Sequence, residues 1–143
     1  MADTVSKAVL ITGCSTGIGR ATAALLRRKG WRVYATARRI ETLAELASQG
    51  CKTLALDVRN ETSMRAAVET VAREEGAVGV LINNAGYGLE GAFEETPMAE
   101  IRRQFETNVF GLITMSKLVL PAMRRQGWTP HLSSSVSRDN LQG

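Results

Sequence analysis

The run Thr12-Gly13-Cys14-Ser15-Thr16-Gly17-Ile18-Gly19 sets its glycines in the spacing G-x-x-x-G-x-G, directly after the apolar stretch Ala8-Val9-Leu10-Ile11. Between a strand and a helix, the backbone N–H groups of such a loop converge with the positive helix end, and the group they can hold is a phosphate. Glycine lets the backbone approach a pyrophosphate closely. In isolation the triplet would read as a plain strand-to-helix turn; after a buried strand and before a helix it points to a dinucleotide. About 20 residues past such a loop, an acidic side chain hydrogen-bonds the ribose 2′-hydroxyl of NAD. Here stand Thr36-Ala37-Arg38-Arg39. With guanidiniums and no carboxylate at that tip, the expected cofactor is NADP, its 2′-phosphate held by Arg38 and Arg39; the competing reading is a solvated arginine pair.

Other chemistries find little support. His131 is the only histidine, so a histidine metal site or a Ser-His-Asp triad would rest on one residue in the least regular part of the chain. Cys14 and Cys51 are far apart and form no C-x-x-C, which suggests neither zinc nor a disulfide framework and fits a reducing cytoplasm. Eighteen Lys+Arg against fourteen Asp+Glu leave a net charge of +4. The basic residues are scattered in small groups such as Arg27-Arg28-Lys29 and Arg124-Arg125, and aromatics are only 5%, a poor match to a nucleic-acid surface. Apolar runs such as Val78 to Ile82 fall far short of the roughly 18 residues of a bilayer helix, and Met1 to Val5 has no basic signal start.

The elements that would position the loop follow from periodicity. After Ala8 to Ile11, a helical stripe Ile18, Ala21, Thr22, Leu25 and Leu26 ends at Gly30. Trp31 to Thr36 reads as a second strand, Glu41 to Ser48 as a short helix and Lys52 to Leu56 as a third strand. Asn60 can cap a helix whose Met64, Ala67, Val68, Val71 and Ala72 face one way, before Val80-Leu81-Ile82 starts a fourth strand. Thr96-Pro97 opens a long helix through Ile101, Phe105, Val109, Leu112, Met115 and Val119, with a division or bend expected near Pro121. Strands alternating with helices imply right-handed crossovers and an α/β, Rossmann-like, doubly wound parallel sheet. With 143 residues there is room for one core, and the sheet is expected to be incomplete, with about four to five strands. Residues 1–127 read as the domain and 128–143 as a divergent, weakly ordered tail.

The glycine spacing, with Asn83-Asn84-Ala85-Gly86 after the fourth strand, Asp57-Val58 after the third and Asn108-Val109-Phe110-Gly111 in the long helix, resembles the classical short-chain dehydrogenase/reductase family. The likeness covers Lys7 to Gln126. It implies that Gly13, Ser15, Thr16, Gly17, Ile18 and Gly19 bind the cofactor diphosphate and that Asp57, with Val58, contacts adenine. Asn84, Ala85 and Gly86 would support the sheet and line the nicotinamide side; local turn hydrogen bonds would suit these asparagines too. The implied reaction is hydride transfer between the nicotinamide and an alcohol or carbonyl carbon, with a small-molecule alcohol or ketone as substrate. Asn84-Ala85-Gly86-Tyr87-Gly88 and Phe105 to Gly111 resemble the branch acting on retinol and steroids, which hints at a lipophilic substrate.

The resemblance also assigns catalytic residues. Asn108 matches an asparagine that supports a proton relay; as a plain helix residue it would bond to neighbouring backbone. Ser135 is the positional match to a serine that holds the substrate oxygen, although Pro130 to Ser137 lacks the apolar strand usual before it. The Tyr-x-x-x-Lys motif that would supply the proton donor occurs nowhere in the 143 residues. The expectation is therefore a truncated or frame-shifted member that is inactive as it stands. The alternatives are a non-catalytic dinucleotide-binding module pairing with itself or a longer relative through the 100–123 helix, and an unstable remnant. A sheet ending at the fourth strand would leave that strand as an edge unless the tail pairs with it.

Overall fold

The computed structural model describes residues 5–89 and 91–127 together with the backbone of residues 131–134. Five parallel strands form one sheet in the order β3-β2-β1-β4-β5: β1 (Ala8–Ile11), β2 (Arg32–Ala37), β3 (Lys52–Ala55), β4 (Val80–Asn83) and β5 (His131–Ser134). Between them run α1 (Gly17–Arg28), a 3₁₀ turn (Ile40–Leu43) leading into the short α2 (Ala44–Ser48), α3 (Glu61–Glu75), α4 (Met98–Phe105) and α5 (Gly111–Arg125). This is the Rossmann-like arrangement expected from the alternating pattern.

Both faces of the sheet are covered. Ala8 and Leu10 pack with Tyr34, Val71 and Met115 on the α3/α5 side, whereas Val9 and Ile11 pack with Ala23, Ala35 and Leu46 on the α1/α2 side. β1 is therefore buried throughout, which is why it carries no polar residue. Asn60 caps α3 as anticipated, its side-chain oxygen accepting the Ser63 N–H at 3.1 Å. No helix among the described residues is long and apolar enough to cross a membrane.

The structure revises three expectations. In α1 the buried positions are Gly19 and Ala23, with Ala24 and Leu26 packed beside them, while Ile18 and Leu25 are 49% and 44% exposed. Two stripes shared the helical period, and the small-residue one won because only it lets the helix close onto the loop below. The long helix is also divided elsewhere. α5 continues through Pro121, and the irregularity is a π-helical turn over Glu106–Phe110 that joins α4 to α5. Finally, residues 131–134, grouped above with the tail, form β5, in register from Val80↔His131 to Asn83↔Ser134. β4 is thus an inner strand and β3 and β5 are the sheet edges. Ser135 lies outside the described residues.

Candidate dinucleotide-binding site

β1 leads through α1 to β2 on one side, whereas β4 lies on the other side of β1, so the chain reverses its winding between β1 and β4. Ligands of open parallel sheets bind outside the carboxyl ends of the strands at such a switch point. The loops that follow β1 and β4 meet there and are bonded to each other. Thr12 Oγ1 accepts the N–H groups of both Asn84 (3.0 Å) and Ala85 (2.9 Å). Asn84 Nδ2 donates to the Gly13 carbonyl at 2.9 Å. The asparagine thus acts across the sheet and not only within its own turn.

This joint leaves space for no side chain. Gly13 has φ +72°, and a Cβ there would lie 2.9 Å from the Ala85 Cα. At Gly19 a Cβ would run into the Gly13 carbonyl and the Asn84 amide. A glycine-only cradle at the N-terminal end of a helix is what a diphosphate requires, and the residues present fit that group. Cys14, inside the loop, is no nucleophile: its N–H donates to Thr36 O at 2.9 Å, its thiol faces Ile11 O at 3.4 Å, and burial pushes its pKa up to about 12.

From the cradle an open cleft of about 740 Å³ extends across the tips of β2 and β3. Of the expected cofactor residues, Gly13, Ser15, Thr16, Arg38, Asp57, Val58, Ala85 and Gly86 line it. Gly17, Ile18 and Gly19 form the first turn of α1, and Asn84 is buried as the strut between the loops. The arginine pair is divided. Arg38 faces the cleft, but the Arg39 guanidinium, 76% exposed, pairs with Glu41 at 2.7 Å. The Glu41 carboxyl is held below its ordinary value by its own backbone N–H and by Arg39.

Asp57 sits at the end of β3 beside the apolar Leu56 and Val58. Its N–H donates to Ser63 Oγ at 2.9 Å, and its Oδ1 accepts the Arg59 N–H at 2.9 Å. The Arg59 Nε lies 3.6 Å from the same oxygen.

Asn108 occupies the π-helical turn and reaches the loop after β4. Its Oδ1 accepts the Tyr87 N–H at 3.0 Å and its Nδ2 donates to the Tyr87 carbonyl at 2.6 Å. Gln104, one turn earlier, also donates to that carbonyl at 3.3 Å. The side chain is therefore committed to holding the cleft wall. Thr12 and Gln104 escaped sequence reasoning; the only signal for Gln104 was its spacing of four from Asn108, which puts both on one helix face. No cluster of side chains suited to a metal ion occurs among the described residues.

Residues 7–136 match the family model described as short chain dehydrogenase. The chain belongs to that family. Its members are oxidoreductases that bind nicotinamide dinucleotides and small-molecule substrates. Among relatives, 3-ketodihydrosphingosine reductase of Bacteroides thetaiotaomicron is 43% identical, the match covering 88% of this chain and 46% of the reductase. Retinol dehydrogenase 8 of Homo sapiens is 39% identical over 96% of this chain and 46% of that protein. The crystal structure of a short-chain dehydrogenase from Streptomyces avermitilis superposes with a TM-score of 0.82 at 39% identity, covering 92% of this chain and 48% of that one. The chain spans about half the length of the curated relatives it matches.

Proposed function

We propose that this chain forms the NADP-binding half of a cytoplasmic oxidoreductase that transfers hydride between the nicotinamide and a lipophilic alcohol or ketone. The observation that carries the reading is Arg38, which lines the cleft at the tip of β2 where an NAD-selective protein would place a carboxylate. A planar guanidinium there suits a 2′-phosphate. The two free, buried cysteines suit a reducing compartment.

In this reading the first turn of α1 and the Gly13–Gly19 cradle hold the diphosphate, Asp57 accepts from the adenine 6-amino group, and Val58 borders the ring. Ala85 and Gly86 flank the nicotinamide half, and Asn108 keeps their loop in place. The bound nicotinamide supplies or accepts the hydride. Ser135 is assigned to the substrate oxygen. Since no Tyr-x-x-x-Lys occurs in the sequence, these residues bind cofactor without sufficing for turnover. The lipophilic substrate class rests on the names of two relatives, which refer to a ketodihydrosphingosine and to retinol. The exposed row Phe105, Val109, Phe110 and Ile113 supports self-association through the 100–123 helix.

The test is an Arg38→Ala variant titrated with NADPH and NADH by nucleotide fluorescence. Losing a charge-assisted contact should weaken NADPH about tenfold or more and leave NADH unchanged. Equal NADPH affinity in the variant and the parent would remove the NADP assignment.

A further inference from the structure

The end of α1 remote from the glycine cradle borders a second cavity. α1 is 12 residues long, so at about 1.5 Å per residue its last turn lies roughly 18 Å from the first. An opening of about 500 Å³ is found there, lined by Ala24, Arg27, Arg28, Gly30 and Gln49. The two arginines close α1, and Gln49 follows α2. No lining side chain is acidic. α1 contains no carboxylate, and Glu45 of α2 is taken up by Arg20.

Arg27 is the fixed member of the pair. A Cβ on Gly50 would lie 2.7 Å from Arg27 Nε and 3.2 Å from Nη2, so the guanidinium rests against the glycine backbone. Seated in this way, Nε is closed to solvent and has no hydrogen-bond partner. A buried donor without an acceptor is costly, and its placement calls for a reason. Helix capping does not supply one. The carbonyls of Glu45, Leu46 and Ala47 already accept the N–H groups of Gln49, Gly50 and Cys51, and those of Leu25, Leu26 and Arg27 accept from Lys29, Gly30 and Trp31. Neither arginine has an ion pair among the described residues, which leaves the terminal nitrogens of Arg27 to the cavity that it lines.

We infer that this cavity is a binding site for a small phosphomonoester, held by Arg27 and Arg28. A guanidinium offers parallel N–H groups to an oxyanion, and two cations with no acid beside them suit a dianion. The Gln49 amide adds a neutral donor and acceptor for the alcohol part of the ligand. That part is small and polar, since no apolar side chain larger than Ala24 lines the opening. Because Arg27 is already seated on Gly50, binding loses little side-chain freedom. The site stands apart from the dinucleotide cleft and does not rest on that reading.

The experiment is an amide NMR titration of the isotope-labelled 143-residue chain with glycerol 3-phosphate, inorganic phosphate and succinate, and with sodium chloride at equal ionic strength as the control. The amides of Gly30, Gln49 and Gly50 report on the cavity and those of Gly13 to Gly19 on the cradle, so an anion that enters the cradle is seen separately. Glycerol 3-phosphate should shift the cavity amides along a saturating curve with a Kd of about 1 mM. Inorganic phosphate should bind within about threefold of this and succinate about tenfold more weakly. Arg27→Gln should weaken glycerol 3-phosphate about tenfold, and Arg27→Lys should recover only part of the loss, since an ammonium lacks the planar fork. Arg28 is exposed, so Arg28→Gln tests the site without touching the packing on Gly50, and it should weaken binding about threefold. Urea unfolding verifies that each variant is folded. Cavity amides that answer sodium chloride as strongly as phosphate overturn the inference. Shifts confined to the cradle also overturn it and leave the dinucleotide reading standing. Succinate bound as tightly as glycerol 3-phosphate overturns the phosphate assignment, and undiminished binding in Arg27→Gln and Arg28→Gln overturns the site.

Discussion

At the amino ends of β2 and β3, Arg32, Tyr34 and Lys52 meet Glu74 and Glu75 from the last turn of α3, and every polar group answers another. The Tyr34 hydroxyl lies 2.5 Å from Glu74 Oε2 and 3.0 Å from Glu75 Oε1. Lys52 Nζ donates to Glu74 at 2.9 Å, and Arg32 Nε pairs with Glu75 at 2.5 Å. The Lys52 ammonium also sits 5.4 Å from the centre of the Tyr34 ring. At the carboxyl ends of the same sheet, Thr12, Asn84 and Asn108 spend their hydrogen bonds on loop backbone, and Arg38 faces an open cleft. One end is closed on itself; the other is braced from behind and open in front. The contrast separates residues that hold the fold from residues that hold a ligand, and substitutions should divide along the same line.

The largest effect is expected where the brace admits no side chain. Gly19→Ala forces a Cβ against the Gly13 carbonyl and should cost about 3 kcal/mol in urea unfolding, the upper range for overpacking. It should also abolish stabilisation by NADPH; a variant that kept both would show that the two loops are not rigidly joined. Next comes Asn108→Ala, which frees the Tyr87 N–H and leaves the Tyr87 carbonyl to Gln104 alone. Two net hydrogen bonds amount to about 2 kcal/mol, and the shift of the unfolding midpoint by NADPH should shrink as the cleft wall loosens. An unchanged shift would confine Asn108 to stability alone.

The smallest effect belongs to the closed end. Tyr34→Phe should cost about 1 kcal/mol and leave nucleotide binding untouched. Its pH dependence sharpens the comparison. Burial, then the hydrogen bonds to Glu74 and Glu75, raises the Tyr34 phenol above its ordinary pKa of 10.0. A raised folded pKa means that the contribution is complete below the ordinary value and is lost as pH climbs above it. Above about pH 10 the parent should therefore lose stability faster than Tyr34→Phe. Glu74 runs the other way: the Tyr34 hydroxyl first, then Lys52, holds its carboxyl below the ordinary 4.5. Its contribution is present above that value and disappears as pH falls through the lowered one. Parallel alkaline profiles for parent and variant would mean that the closed end does not depend on this hydroxyl.

The alternation of strands and helices was legible because a parallel sheet buried on both faces demands uninterrupted apolar runs such as Ala8 to Ile11. The glycine loop was legible for the same physical reason that the structure shows, a close approach of backbones. What could not be read were choices among equivalent patterns. The expected stripe Ile18, Ala21, Thr22, Leu25 and Leu26 and the buried row Gly19, Ala23 and Leu26 share Leu26 and the helical period, and contact with Gly13 decides between them. Likewise Pro121 is the usual mark of an irregular helix, yet the irregular turn lies around Asn108, whose bonds to Tyr87 have no local sequence signal. Arg38 and Arg39 were equal as sequence, and Glu41 separates them. β5 was faint because its residues His131 to Ser134 are mostly polar, with Leu132 alone to mark the pairing with β4.

The most direct test of the central claim, that the carboxyl end of the sheet is a dinucleotide site, is the unfolding midpoint of the purified chain against NADPH concentration, with NADH in parallel. A ligand that binds only the folded state raises the midpoint progressively once its concentration exceeds Kd. The account predicts a saturating binding curve and a midpoint that rises with NADPH, by less with NADH, and equally in Tyr34→Phe. A chain that unfolds cooperatively at a midpoint unmoved by either nucleotide would contradict it.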